Sequence, residues 1–274
     1  MTPGRAVLFG RRWLAGLAAI AALQAAAATD PFPGVARAYL VSIDGDATWE
    51  HAAGERLAPA SLTKLMTAVL VAETGRLDEV VTVSPRAAAA TGSRLGLKAG
   101  ERFVVKDLLA AAMIASANDA CRALAEWRDG SETAFAQRMN RKATALGLAD
   151  TRFVNACGHD ADGHYSTARD LARLAMAAMA SVAIADLVRR PESTIATVDH
   201  HRSFLLTNRN ALIGRFDGAI GVKSGFTPKA GKCVIALAER NGVRVLLVML
   251  GGRDRWWDAH AMLTRAFSFA ARGR

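Results

Sequence analysis

KCVIALAERNGVRVLLVML, residues 232–250, decides the fold. Two apolar, β-rich runs, Lys232 to Ala238 and Val243 to Leu250, flank Asn241-Gly242. That dipeptide suits a two-residue hairpin, whose central residues both need positive φ. Working outward, Trp256 to Ala271 reads as a closing helix, and Val35 to Ile43, VARAYLVSI, as a first strand. A Gly-Asp turn near Gly45 then leads into a short strand at Thr48 to His51. The middle of the chain is helical in pattern. Pro59-Ala60 opens a helix over SLTKLMTAVLVAE, which Thr74-Gly75 ends. Val105 to Ala115, Asp119 to Trp127, Glu132 to Leu146, Thr167 to Ala180 and Ile184 to Arg190 follow, with Asp107 and Thr167 as caps or first-turn residues. The simplest closure is an α/β fold in which the first strand joins the C-terminal hairpin in one antiparallel sheet. The sheet part takes about 33–60 and 200–274, and an inserted helical subdomain about 76–199, with a cleft between them.

Residues 1–28 read as a secretory signal: Arg5, Arg11 and Arg12 precede a charge-free run from Trp13 to Ala27, and Ala26-Ala27-Ala28 offers the cleavage site. The run is shorter than the roughly 20 residues that span a bilayer. Residues 29–274 then form one domain. Loss of three arginines and no acid lowers the formal charge from +10 to +7. Such a basic exported protein suits an anionic polymer or, at most peripherally, a membrane surface. No basic run with interleaved aromatics suggests nucleic acid. Cys121, Cys157 and Cys233 are an odd set, so at least one thiol stays free unless it pairs with another molecule. The histidines lack an H-E-x-x-H pattern, and adjacent His200-His201 make a poor chelate, so neither a metal nor another cofactor is expected.

Three short motifs carry chemistry. In Ser61-Leu62-Thr63-Lys64, positions i and i+3 share a helix face, so the hydroxyl and the amine can meet. A serine nucleophile needs such a base. Ser116-Ala117-Asn118 sets a hydroxyl and an amide two residues apart, between two helices. The serine can relay a proton, and the amide can hold Lys64 and a substrate carbonyl. Lys223-Ser224-Gly225 adds a cation near Lys64, a hydroxyl for a substrate carboxylate, and a glycine past which a substrate backbone can run. Each motif alone has an ordinary reading: a helix start, a cap, a surface turn. Their order, with about 55 and then about 107 residues between them, is that of penicillin-binding proteins and related β-lactamases.

On these residues, with PASLTKLMTA, SANDACRALAE, YSTARDLARLA and the TNRN around Arg209, the chain resembles the low-molecular-mass penicillin-binding proteins, D-alanyl-D-alanine carboxypeptidases of the S11 serine peptidases. The resemblance runs from about Val35 to Leu263. It implies a β-lactamase/transpeptidase-like fold and hydrolysis of terminal D-alanine from peptidoglycan stem peptides through a Ser61 acyl-enzyme. Lys64 would be the general base, and the N–H groups of Ser61 and Phe226 the oxyanion hole. Ser116 and Asn118 would line the second wall. Lys223, Ser224 and Thr227 would hold substrate, with Lys223 charged and Lys64 neutral, and Arg209 would take the terminal carboxylate. β-Lactams would be covalent inhibitors.

The chain departs from the family in KSG where KTG is usual, in a Gly251–Leu263 stretch about three residues short, with Arg255 the best match to a second substrate arginine, and in an end soon after the last helix. Cys121, about 7.5 Å of helix beyond Ser116, should lie near the site without joining the chemistry. Rival readings are a D,D-endopeptidase, a β-lactamase and a non-catalytic binding protein. The β-lactamase lacks its E-x-x-L-N glutamate, because Glu192 is followed by Ser193-Thr194-Ile195-Ala196. Ser61, Lys64, Asn118 and Lys223 together argue against the binding protein.

Overall fold

A computed structural model describes residues 30–272; the expected signal, residues 1–28, lies outside them. The chain opens with strands β1 (Ala38–Ile43) and β2 (Asp46–His51), then a 3₁₀ turn, Ala60–Thr63, running into helix α1 (Lys64–Ala72). Next come β3 (Val80–Thr82), α2 (Pro85–Ala88), β4 (Arg102–Val104), α3 (Val105–Ile114), α4 (Asn118–Asp129) and α5 (Glu132–Ala145). Helices α6 (Ala168–Met179) and α7 (Val182–Val188) lead to β5 (Glu192–Ala196) and β6 (Ser203–Thr207). Strands β7 (Ala219–Thr227), β8 (Gly231–Arg240) and β9 (Val243–Gly252), then α8 (Arg255–Arg272), close the chain.

The hairpin forms as its sequence demands. Arg240 pairs with Val243, and Asn241 and Gly242 both hold positive φ, +50° and +74°. β1 pairs antiparallel with β9, which gives the sheet order β2-β1-β9-β8-β7. The apolar runs of β8 and β9 are nearly continuous because both faces of the sheet are covered. Val234, Ala236, Val245, Leu247 and Met249 pack with Ala259, Met262, Leu263 and Ala266 of α8. Their alternates Ile235, Leu237, Leu246, Val248 and Leu250 join α1 and the helical part.

α1 is buried at every position from Lys64 to Val71, since it runs between the sheet and the other helices. The helix caps act as read: the Thr167 side chain accepts from Asp170 N, and Gly75, at φ +67°, ends the turn after α1. Two antiparallel ribbons, β3–β4 and β5–β6, were not anticipated, because short strands leave little alternation to read. The β5–β6 ribbon packs on α3, so the boundary expected near 199–200 falls inside one ribbon, and the helical part runs to Thr207.

Candidate active site

The 3₁₀ turn holds Ser61 at the buried end of α1, where the helical part meets the β7 edge of the sheet. Ala60, just before it, sits at φ +49°, a costly conformation for a residue with a Cβ. Two glycines wedge the turn in place. A Cβ on Gly158 would lie 1.9 Å from Ala60 O, and one on Gly225 would lie 2.9 Å from Ser61 N. Gly225 thus has a use beyond the expected one: its missing side chain makes room for the backbone of Ser61.

Lys64 is wholly buried, and its amine nitrogen lies against three polar atoms: Ser61 Oγ at 3.1 Å, Asn118 Oδ1 at 2.7 Å and the Cys157 carbonyl at 2.8 Å. Asn118 turns its Nδ2 to Thr91 O at 2.6 Å and to His159 Nε2 at 3.1 Å, which fixes the amide with its oxygen toward Lys64. Ser116, at φ +61° between α3 and α4, accepts from Lys223 Nζ at 2.9 Å. Lys223 also donates to Ser224 O at 2.9 Å. Burial first, and then the neighbouring Lys64 amine, push Lys223 well below the ordinary lysine pKa. The resemblance implies a charged Lys223; its enclosed position acts against that charge.

Other members of the third motif are tied differently than expected. Ser224 is buried and donates its hydroxyl to Arg209 O at 3.1 Å. Thr227 Oγ1 donates to Asp160 Oδ1 at 2.6 Å and accepts from Ala230 N at 3.0 Å, so its hydroxyl is committed to the protein. Phe226 exposes its ring beside them. Arg209 is anchored by its backbone, with its N–H on Ile114 O at 3.0 Å. Its side chain is exposed and, among the described residues, makes no ion pair or hydrogen bond. Arg255 turns inward instead: Nη1 donates to Gly225 O at 2.6 Å and Cys233 O at 3.1 Å, bracing β7 against β8, while its guanidinium lies over Trp256.

Sequence reasoning missed what lies beneath Ser61. His164 is buried; Nδ1 accepts from Val154 N at 3.0 Å, leaving Nε2–H for Thr63 Oγ1 at 2.9 Å. Burial lowers its pKa to about 4, so it braces the 3₁₀ turn as a neutral ring. Asp119 Oδ2 accepts from Leu95 N, Gly96 N and Leu97 N and pins that loop to the start of α4. Cys121 and Cys157 are free, buried neighbours close to Lys64, and burial followed by the Cys121 contact drives the Cys157 thiol well above its usual pKa. A cavity of about 530 Å³ between α6 and the sheet, lined by Leu40, Met176 and Leu246 among others, lies apart from this constellation.

The arrangement suits acyl transfer: a serine with an amine in contact, and a second hydroxyl–amine pair across the cleft. The sequence matches the model of a family described as D-alanyl-D-alanine carboxypeptidase over residues 40–254. It is 36% identical over 239 residues to D-alanyl-D-alanine carboxypeptidase DacF of Bacillus subtilis, covering 85% of this chain and 61% of that one. The chain thus spans about three-fifths of that relative's length. The D-alanyl-D-alanine carboxypeptidase of Streptomyces sp. K15 is 33% identical, with 91% and 92% of the two chains covered. Its crystal structure, described as a DD-transpeptidase, superposes with a TM-score of 0.80 over 85% of this chain and 97% of that one, at 30% identity. Penicillin-Binding Protein D2 of Listeria monocytogenes, solved with ampicillin bound, gives 0.75 at 32% identity, with 85% and 98% covered.

Proposed function

The chain belongs to the D-alanyl-D-alanine carboxypeptidase family of serine peptidases, and from that premise we propose that it removes the terminal D-alanine of peptidoglycan stem peptides. Ser61 would carry the acyl group, and export would bring the enzyme to its substrate. The observation that carries this reading is the saturated Lys64 amine in contact with Ser61 Oγ at 3.1 Å.

A neutral lysine has two N–H groups and one lone pair. With Asn118 Oδ1 and Cys157 O taking the N–H groups, the lone pair faces Ser61. Lys64 takes the Ser61 proton as Oγ bonds to the penultimate D-alanine carbonyl carbon. The N–H groups of Ser61 and Phe226 receive the oxyanion. The C–N bond breaks, and Ser116 gives its proton to the leaving nitrogen. The proton that Lys64 took from Ser61 then replaces the one Ser116 gave, while Lys223 Nζ holds Ser116 Oγ in place at 2.9 Å. Water then attacks the ester, which releases the shortened peptide and restores the Ser61 hydroxyl. Arg209 is the group in reach for the substrate's terminal carboxylate, since its charge is exposed and, among the described residues, unpaired, whereas Ser224 and Thr227 are already bonded. A β-lactam acylates Ser61 by the same attack, and its opened ring stays attached and hinders water.

Purified muropeptides test the reading by product mass. Loss of one D-alanine from monomeric pentapeptides is the expected result. Conversion of cross-linked dimers to monomers without that loss would make the enzyme a D,D-endopeptidase. Unchanged muropeptides, together with no penicillin adduct on Ser61, would make it a binding protein.

A further inference from the structure

The segment from Asn155 to Asp160 lies outside every helix and strand, yet it reaches the first two motifs and the residues just beyond the third. The Cys157 carbonyl meets Lys64, Gly158 packs under Ala60, His159 meets Asn118, and Asp160 accepts from Thr227 Oγ1 and Lys229 N. A backbone without ladder partners needs other groups to satisfy it. Here one side chain serves. Asn155 Oδ1 accepts from Cys157 N at 3.2 Å, Gly158 N at 2.7 Å and His159 N at 3.1 Å. Its Nδ2 donates to His159 O at 2.9 Å, so both ends of the amide are engaged.

We propose that Asn155 is a positioning residue for the Ser61 reaction: by folding residues 157–159 around its amide it aims the Cys157 carbonyl, and that carbonyl decides where the Lys64 lone pair points. The inference rests on Lys64 as the base. Two fixed acceptors leave the neutral amine one direction for its lone pair, toward Ser61 Oγ. If the Cys157 carbonyl swings away, the amine turns about its remaining bond to Asn118, and the lone pair leaves Ser61 for part of the time. Arg209 and Ser224, on the substrate side, form no bond to Asn155, so the effect falls on the chemical step more than on binding.

Asn140 supplies the comparison. Its amide grips the same chain two residues earlier, accepting from Phe153 N at 2.8 Å and donating to Phe153 O at 2.8 Å, but it touches none of the three motifs. Asn140→Ala reports what a lost brace does to stability alone. Asn155→Ala is expected to lower both ampicillin acylation and peptide kcat about ten- to a hundredfold, the scale of a misplaced catalytic group. KM should stay within about twofold, and Tm should fall no further than in Asn140→Ala. Asn155→Asp keeps the three acceptances and adds a negative charge near the base. It should recover the plateau acylation rate to within about threefold, with its pH midpoint moved upward. Wild-type acylation in Asn155→Ala, or kcat and KM changes that match those of Asn140→Ala, would overturn the proposal. If Asn155→Ala does not fold, Asn155→Asp decides: a lost plateau or an unmoved midpoint overturns it. Lys64→Arg separates the two levels. If that variant acylates, the reading of Lys64 fails; if it is inert while Asn155→Ala is fast, only the role of Asn155 fails.

Discussion

The sheet core and the seam beside it are both buried, but they are held by opposite means. In the core, β8 and β9 supply alternating apolar side chains to two clusters, and any one contact is replaceable by another of similar volume. In the seam, Lys64, Ser116, Asn118, Asp119 and Lys223 are all buried, and each polar atom the chemistry uses has a named partner at a hydrogen-bond distance. Burial stabilises the first region in proportion to area and penalises the second unless every donor finds an acceptor. The core therefore specifies that the chain folds, and the seam specifies one arrangement of atoms within the fold. Stability and activity should separate along this line.

Lys64→Arg should break the seam most sharply. A guanidinium cannot act as a base at working pH, and acylation by ampicillin should fall at least a thousandfold, about 4 kcal/mol. Lys223→Met should lose most activity too, yet keep or raise Tm, because an apolar side chain of similar length replaces a buried amine. A clear drop in Tm would mean that Lys223 stabilises the seam. From the other side, Leu247→Ala removes a fully buried side chain between β9 and α8. It should cost about 2–5 kcal/mol of unfolding free energy in urea, with the acylation rate of the folded fraction unchanged. A matching loss of rate would show that the core positions the site directly.

Acid should act through the seam. Burial lowers the pKa of His164 from its ordinary 6.5 to about 4. A base with a depressed pKa binds its proton more tightly in the unfolded chain. Its contribution is therefore complete above the unfolded value and is lost as pH falls from there through about 4. The span corresponds to about 3 kcal/mol, and His164→Gln should flatten the stability profile in that window. An unchanged slope would place the acid sensitivity elsewhere. The smallest effect belongs to the exposed rim. Arg209→Ala should slow D-alanine release about ten- to a hundredfold while acylation by an uncharged β-lactam ester barely changes. Equal loss on both substrates would make Arg209 a brace for its loop.

Much of this was legible before any coordinates. Asn241-Gly242 between two apolar runs has one short-range solution, and the strands and helices around it followed from period and length. Ser61, Lys64, Ser116, Asn118 and Lys223 could be named because side-chain identity itself carries their chemistry. The partners of Thr227 and Arg255 were not legible: one hydroxyl meets Asp160, and one guanidinium meets the Gly225 and Cys233 carbonyls. Which polar groups a side chain meets depends on residues far along the chain.

The sequence by itself determined the first strand, the C-terminal hairpin, the helix that presents Ser61 and the list of reactive groups, since these depend on neighbours within a few residues. Only the tertiary structure decided that a glycine of β7 yields to the Ser61 backbone, that burial disfavours the Lys223 ammonium, and that the third ligand of Lys64 is the carbonyl of Cys157. A backbone carbonyl is the same in every residue. Its role is set by where the chain places it, and here that place depends on the amide of Asn155.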